Sequence, residues 1–245
     1  YTPGDDLRYV DWKIYGRTDK VYLKQFEAET DLVCTLMVDA SESMAYQSDS
    51  AALSKWEYAQ CLAGALAHLV LHARDRVSLV TAGEKVCRLL PASNRPGARE
   101  QLIHGLEQTS CSGQSSIGSS LHELAGYLRQ RSVVIVLSDL LDQVETVLAG
   151  LKHLSYQRHE VIVLQLLDPA ELDFPFERTA RFQGLESLGE VLVQPLGVRQ
   201  AYLAALKQFL QQIRAGCRNE QVEYLLVRTD QPPVLVLKQL LARRP

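Results

Sequence analysis

No run of apolar residues in this 245-residue chain approaches the roughly 20 that a membrane-spanning helix needs. No signal-peptide pattern is visible either. The chain opens at Tyr1 without a methionine, so both statements concern these residues and no others. Cysteine is sparse: five residues (34, 61, 87, 111 and 217), an odd number with no CxxC spacing. That argues against a disulfide framework and a zinc knuckle. It predicts a reducing compartment, the cytoplasm, with a membrane anchor outside these residues left open. Cys34, Cys61, Cys87 and Cys217 fall in apolar-periodic segments and are expected in the core, whereas Cys111 falls in a polar loop. A basic excess is missing too. The formal charge is −3, with Lys and Arg scattered among acids apart from Arg243 and Arg244. Neither nucleic acid nor an anionic membrane is therefore expected as the main partner.

The common enzyme signatures are absent as well. There is no GxxxxGK[ST] phosphate loop and no GxGxxG after a strand. "GQSSI" lacks the second glycine of a GxSxG nucleophile elbow. A phosphatase of the haloacid dehalogenase type needs a second acid two positions after its strand-end aspartate; after Asp39 that position is Ser41. His68 and His72 stand four apart, as zinc ligands on a helix can, but HExxH is missing and an exposed polar face is the expectation for both. The chain is thus expected not to be an enzyme.

What is present is an ordinary globular composition, 47% apolar and 22% charged, with length enough for a sizeable core. Buried strands are expected at "DLVCTLMVD" (31–39), "SVVIVLSD" (132–139) and "HEVIVLQLLDP" (159–169). "RVSLVTA" (76–82) and "KVCRLLPA" (85–92), with Gly83-Glu84 between them, read as a strand pair. Helical stripes separate these runs. Trp56, Ala59, Leu62, Ala63, Leu66, Leu69, Val70 and Ala73 form the first; Leu102, Ile103 and Leu106, after Pro96, form the next. Others follow at Ile117–Leu128 and Val144–Leu151. A hairpin around "RFQGLESLGEVLVQP", a long helix at about 198–217, the strand "VEYLLVRT" and a helix from about Pro233 complete the chain. Strand–helix alternation with continuously apolar strands predicts an α/β domain, a doubly wound, mostly parallel sheet with helices on both faces. Residues 31–245 form this domain, and residues 1–30 an N-terminal arm packed on it.

In the arm, Pro3-Gly4 predicts a turn, Asp5 or Asp6 a cap, and Leu7, Val10 and Ile14 a helical face. Asp5, Asp6 and Asp11 lack a metal pattern or a general-acid partner. A structural role is favoured, with Arg8 and Asp11 bracing the segment; docking through Trp12 is the alternative. "KVYLKQFEAE" alternates like an added strand.

Ligands of open parallel sheets bind beyond the carboxyl ends of the strands. Oxygen-bearing side chains gather at those ends here: Asp39, Ser41 and Ser43 after the first strand, Ser115 and Ser116 in the loop before Ile117, and Asp139, then Asp142, after "VVIVLS". If the first and fourth strands are neighbours, these form an all-oxygen site of the kind Mg²⁺ or Mn²⁺ prefers. Each residue also has a plainer use. Asp39 could cap its own turn, Ser43 a helix, Ser115 or Ser116 the Ile117 helix, and Asp139 the helix after it. A metal-dependent hydrolase, with Glu42 or Asp142 as base, and a metal-free scaffold are the other two readings.

"DASES" fits the DxSxS pattern of the metal-ion-dependent adhesion site (MIDAS) of von Willebrand factor A-like domains. More specifically, "YTPGDDLRYVDWKIYGRTDKVYLKQFEAE" with "LMVDASESM", and later "GVRQAYLAALKQFLQQIRAGCRNEQVEYLLVRTDQPP", resemble a bacterial family of unknown function with a von Willebrand A-like domain. Its members are commonly associated with MoxR-type AAA+ ATPases. The resemblance implies a protein-interaction domain with one Mg²⁺ or Mn²⁺ held by Asp39, Ser41, Ser43, Ser115 and Asp139. One coordination position would be left for a partner protein's Asp or Glu. It also implies an adaptor or co-chaperone role beside a MoxR-type ATPase. In such domains the hydroxyls usually touch the ion, and the acids often act through water. Serine at 115 departs from the family's usual threonine and loses the methyl that stiffens the rotamer, so Ser116 stays open as the alternative ligand.

Overall fold

The computed structural model describes residues 11–22, 32–83, 86–113, 115–176, 180–183, 190–193 and 195–242. The chain forms two compact units, residues 1–31 and 32–245. In the first, α1 (Trp12–Thr18) begins at Asp11, whose Oδ1 accepts from the N–H groups of Lys13 and Ile14 at 3.0 and 3.1 Å. Asp11 is therefore a helix cap. Trp12 stands 62% exposed on that helix. The Pro3-Gly4 turn, Asp5, Asp6, Leu7, Arg8, Val10 and most of the expected arm strand lie outside the described residues.

The second unit is built on β1 (Val33–Asp39), β2 (Arg76–Ala82), β3 (Val86–Ser93), β4 (Val133–Ser138), β5 (Glu160–Leu167) and β8 (Glu223–Arg228), in the spatial order β3-β2-β1-β4-β5-β8. All pairings are parallel except β2–β3, the expected antiparallel pair. Alternate side chains of a strand serve opposite faces. Leu36, Val38, Ile135 and Leu137 pack with α2 (Lys55–His72), α3 (Ala98–Glu107) and α8 (Pro233–Ala242). Met37, Val134 and Val136 pack with α4 (Ile117–Tyr127), α5 (Val144–Tyr156) and α7 (Pro195–Asn219). Both faces are thus covered, which is why these strands carry no polar alternation. A short α6 (Pro169–Asp173) follows β5, and β6 (Ala180–Gln183) pairs antiparallel with β7 (Glu190–Val193) as the expected hairpin.

Three sequence expectations shift. The stripe of α2 fades in its last turns, where Leu69 is 38% exposed and Ala73 is exposed, while Tyr58 and Ala67 are buried instead. In α3, which begins after Gly97 (φ 90°) and not at Pro96, Leu102 and Leu106 are buried but Ile103 is exposed. Cys34 and Cys217 are core residues, whereas Cys61 and Cys87 are exposed, on the outer face of α2 and on the edge strand β3. A helix end and an edge strand each have one wet side, and apolar composition does not say which residues face it. His68 and His72 lie on the exposed face of α2, as expected. Among the described residues no helix is long and apolar enough to cross a membrane.

Candidate functional site

The first strand does lie beside the fourth. From β1 the chain winds outward to β2 and β3 on one side, and from β4 to β5 and β8 on the other, so the order reverses between β1 and β4. Such a switch point leaves a crevice at the carboxyl ends of the two strands. Val38 pairs with Leu137 in the β1–β4 register, which sets Asp39 opposite Ser138, with Asp139 next along. Two aspartates a hundred residues apart in sequence arrive at one edge of the sheet, both buried.

Asp39 is held on both oxygens. Oδ1 accepts from the Ser41 N–H at 2.9 Å, closing the turn after β1, and Oδ2 accepts from the Ser138 hydroxyl across the seam. Ser138 Oγ in turn accepts from the Leu140 N–H at 2.9 Å, where the chain leaves β4 with φ 58° at Leu140. Burial, then the charge of Asp139, pushes the Asp39 carboxyl up to about 7 from its ordinary 3.8. Asp139 is also held on both oxygens: Oδ1 accepts from the Leu141 N–H at 3.1 Å, and Oδ2 from Lys55 Nζ at 2.8 Å. Its carbonyl accepts from Gln165 Nε2 of β5 at 2.8 Å, and Gln165 Oε1 accepts from the Tyr224 hydroxyl of β8 at 2.7 Å. A carboxylate oxygen has more than one lone pair, so these bonds leave each carboxylate room for further donors.

Ser41 and Ser43 are buried, and neither hydroxyl caps the 3₁₀ turn over Glu42–Ala45. Their oxygens lie 3.0 Å from each other. Neighbouring ligands in an Mg²⁺ octahedron, with bonds near 2.1 Å, are separated by about 3.0 Å. The loop before α4 is tied onto this turn by the Ser112 N–H to the Ala40 carbonyl (3.0 Å) and the Glu42 N–H to the Gly113 carbonyl (3.1 Å). Ser115 and Ser116 follow that tie at the entrance to α4, where Ser116 is the cap position but makes no side-chain capping bond. The cap comes from elsewhere: Asp142 Oδ2 accepts from the Gly118 N–H at 3.1 Å. A close crossing fixes the same end of α4, since a Cβ on Gly150 of α5 would lie 2.8 Å from the Gly118 carbonyl oxygen. Asp139 does not cap α5, whose cap position is Gln143.

Lys55 is the residue that reading the sequence missed. It is the first residue of α2, after the Ser54–Glu57 capping box, and it is fully buried. Nζ donates to Asp139 at 2.8 Å and to Glu171 Oε1 of α6 at 2.7 Å, 5.9 Å from the Tyr46 ring centre. Burial works against its charge, but Asp139 and Glu171 outweigh that and hold the ammonium above its usual range. Glu171 itself is pushed up by burial, against the pull of Lys55. A lysine in the first turn of a helix opposes the helix dipole, and that was the available signal. Cys111 stands within electrostatic range of the two aspartates; burial and then their charges push its thiol up to about 12.

The donor set is therefore all oxygen. Among the described residues no three His, Cys, Asp or Glu side chains are grouped to hold a metal. The set consists instead of two carboxylates and serine hydroxyls, hard donors suited to Mg²⁺ or Mn²⁺ and poorly suited to zinc or copper. The residues fit such an ion.

Known proteins share this architecture. The structure of a conserved hypothetical protein, BatB, from Bacteroides thetaiotaomicron aligns over 86% of this chain and 98% of its own, with TM-score 0.60 and 17% identity. An aerotolerance-related membrane protein from Bacteroides fragilis aligns over 86% and 99%, with TM-score 0.56 and 17% identity. The shared fold is an α/β domain with a mostly parallel sheet covered by helices on both faces. In sequence, the uncharacterized protein Rv1480 of Mycobacterium tuberculosis is 25% identical over 251 residues, covering all of this chain and 77% of that protein. A family model described as "Protein of unknown function DUF58" matches residues 1–210, so the chain belongs to the DUF58 family.

Proposed function

We propose that this chain is a protein-interaction domain that binds one divalent cation, Mg²⁺ or Mn²⁺, and uses it to grip an Asp or Glu side chain of a partner protein. The observation that carries the reading is the pair of buried hydroxyls, Ser41 and Ser43, 3.0 Å apart beside two buried carboxylates. Ser41, Ser43 and Ser115 would hold the ion directly. Asp39 and Asp139, already engaged by protein donors, would act through water and supply the charge. Bound there, the ion offers a hard electrophilic point to an incoming carboxylate. The resemblance of residues 1–29, of 36–44 and of the late helix–strand segment to a MoxR-associated family supports a role as adaptor or co-chaperone beside such an ATPase.

The alternative metal-dependent hydrolase needs a base at the site. Asp142, one of the two candidates, is tied to the start of α4, accepting from the N–H groups of Gly118 and Gln143. Titration calorimetry with Mn²⁺ on wild type and Asp39→Ala tests the proposal. One site in the wild type, lost in the variant, is expected; no binding to the wild type overturns it.

A further inference from the structure

Replacing a buried ion pair by apolar side chains is commonly neutral or stabilising, because taking the charges out of water costs several kcal/mol. Stability is thus a poor reason for a fully buried lysine at the unfavourable end of a helix dipole. Its place is more informative. Asp39, Asp139, Lys55 and Glu171 form a row of charges, with the ammonium bonded to the second and last carboxylates. Asp168 lies beside them, but its oxygens accept from the N–H groups of Ser48 and Ala170 at 3.0 and 2.8 Å. The row carries three carboxylates against one ammonium, and Asp168 beside it is a fourth acid, so a divalent ion would offset part of an acidic excess.

We propose that Lys55 is the resident counter-charge of the cation site: by dividing its ammonium between Asp139 and Glu171, it sets how strongly the site holds a divalent ion. This rests on the cation reading above. Two consequences follow from the row's charge balance. Lys55 weakens the grip on the ion, because it already satisfies part of Asp139. It also lowers the negative charge of the loaded site, so a partner's carboxylate meets less repulsion. Glu171 acts in the opposite sense, by drawing the ammonium's charge away from Asp139.

The test is Mn²⁺ affinity, measured by calorimetry and by the loss of the free-ion paramagnetic resonance signal, in wild type, Lys55→Met and Glu171→Gln. Lys55→Met is expected to bind Mn²⁺ on the order of tenfold more tightly, and Glu171→Gln several-fold more weakly. Lys55→Met without metal is expected to melt earlier, and Mn²⁺ should raise its Tm by more than it raises that of the wild type. Glu171 is partly exposed, so its variant decides the matter if Lys55→Met fails to fold. An ion pair with a merely structural role would leave both affinities unchanged or weaken both, and either result overturns the assignment of Lys55 alone. A wild-type protein that binds no Mn²⁺ overturns the cation reading and this inference with it.

Discussion

The Ser138 hydroxyl donates to Asp39 across the β1–β4 seam while accepting from the Leu140 N–H, so one oxygen fixes both the first aspartate and the exit turn of the fourth strand. Ser138→Ala strands a buried carboxylate oxygen and a buried amide together. We expect a loss of about 1–3 kcal/mol in chemical denaturation of the metal-free protein. Ser138→Thr, which keeps the hydroxyl, should lose less.

Asp39 gives the metal-free protein a pH dependence of known sign. Its carboxyl is raised from 3.8 to about 7, so within that window the native state holds a proton that the unfolded chain has released. The stability it contributes is complete at the acid end and is lost as the pH rises through about 7. Urea melts at pH 5.5 and 8.0 in chelator should show Asp39→Asn losing less stability than wild type over that interval. An identical slope in the two proteins would contradict the burial of an ionisable Asp39.

Asp142 holds the first turn of α4 from outside the helix. Asp142→Ala should cost about 1 kcal/mol, the worth of a helix cap. Amide exchange should quicken at Gly118 and its neighbours while the centre of α5 keeps its protection.

The cysteines separate by position. Cys61 and Cys87 should react quickly with iodoacetamide in the native state, and Cys34 and Cys217 only on unfolding. Cys217 is doubly protected, since burial also pushes its thiol up to about 11. Mass spectrometry of timed labelling resolves all four.

These residues also show what a linear reading could reach. "LVCTLMVD" and "VVIVLSD" announced themselves because a strand buried on both faces must be apolar throughout, and a polar end on such a strand is an anomaly visible in one dimension. The sheet order made Asp39 and Asp139 neighbours, as doubly wound topology implied. Lys55 was overlooked for the opposite reason. A lysine beside a capping serine looks like an exposed first turn, and only the approach of β4 and α6 buries it. Gly118 and Gly150 likewise read as ordinary helix residues until the crossing of α4 and α5 shows that no side chain fits there. Ser115 or Ser116 looked like the cap of α4, but the cap came from Asp142, twenty-four residues beyond the Gly118 it holds. Local pattern names donors; only packing decides which acceptors they meet.

The polar line from the Tyr224 hydroxyl through Gln165 to the backbone of Asp139 spans three adjacent strands, from the margin of the sheet to its switch point. The aspartate's position is therefore set partly from the rim. Without the Tyr224 hydroxyl, the Gln165 amide would keep its bond to the Asp139 carbonyl but lose the anchor on its other end. The margin strand and the switch point are thus parts of one polar beam, and a Tyr224→Phe chain would carry that beam cut at its outer end.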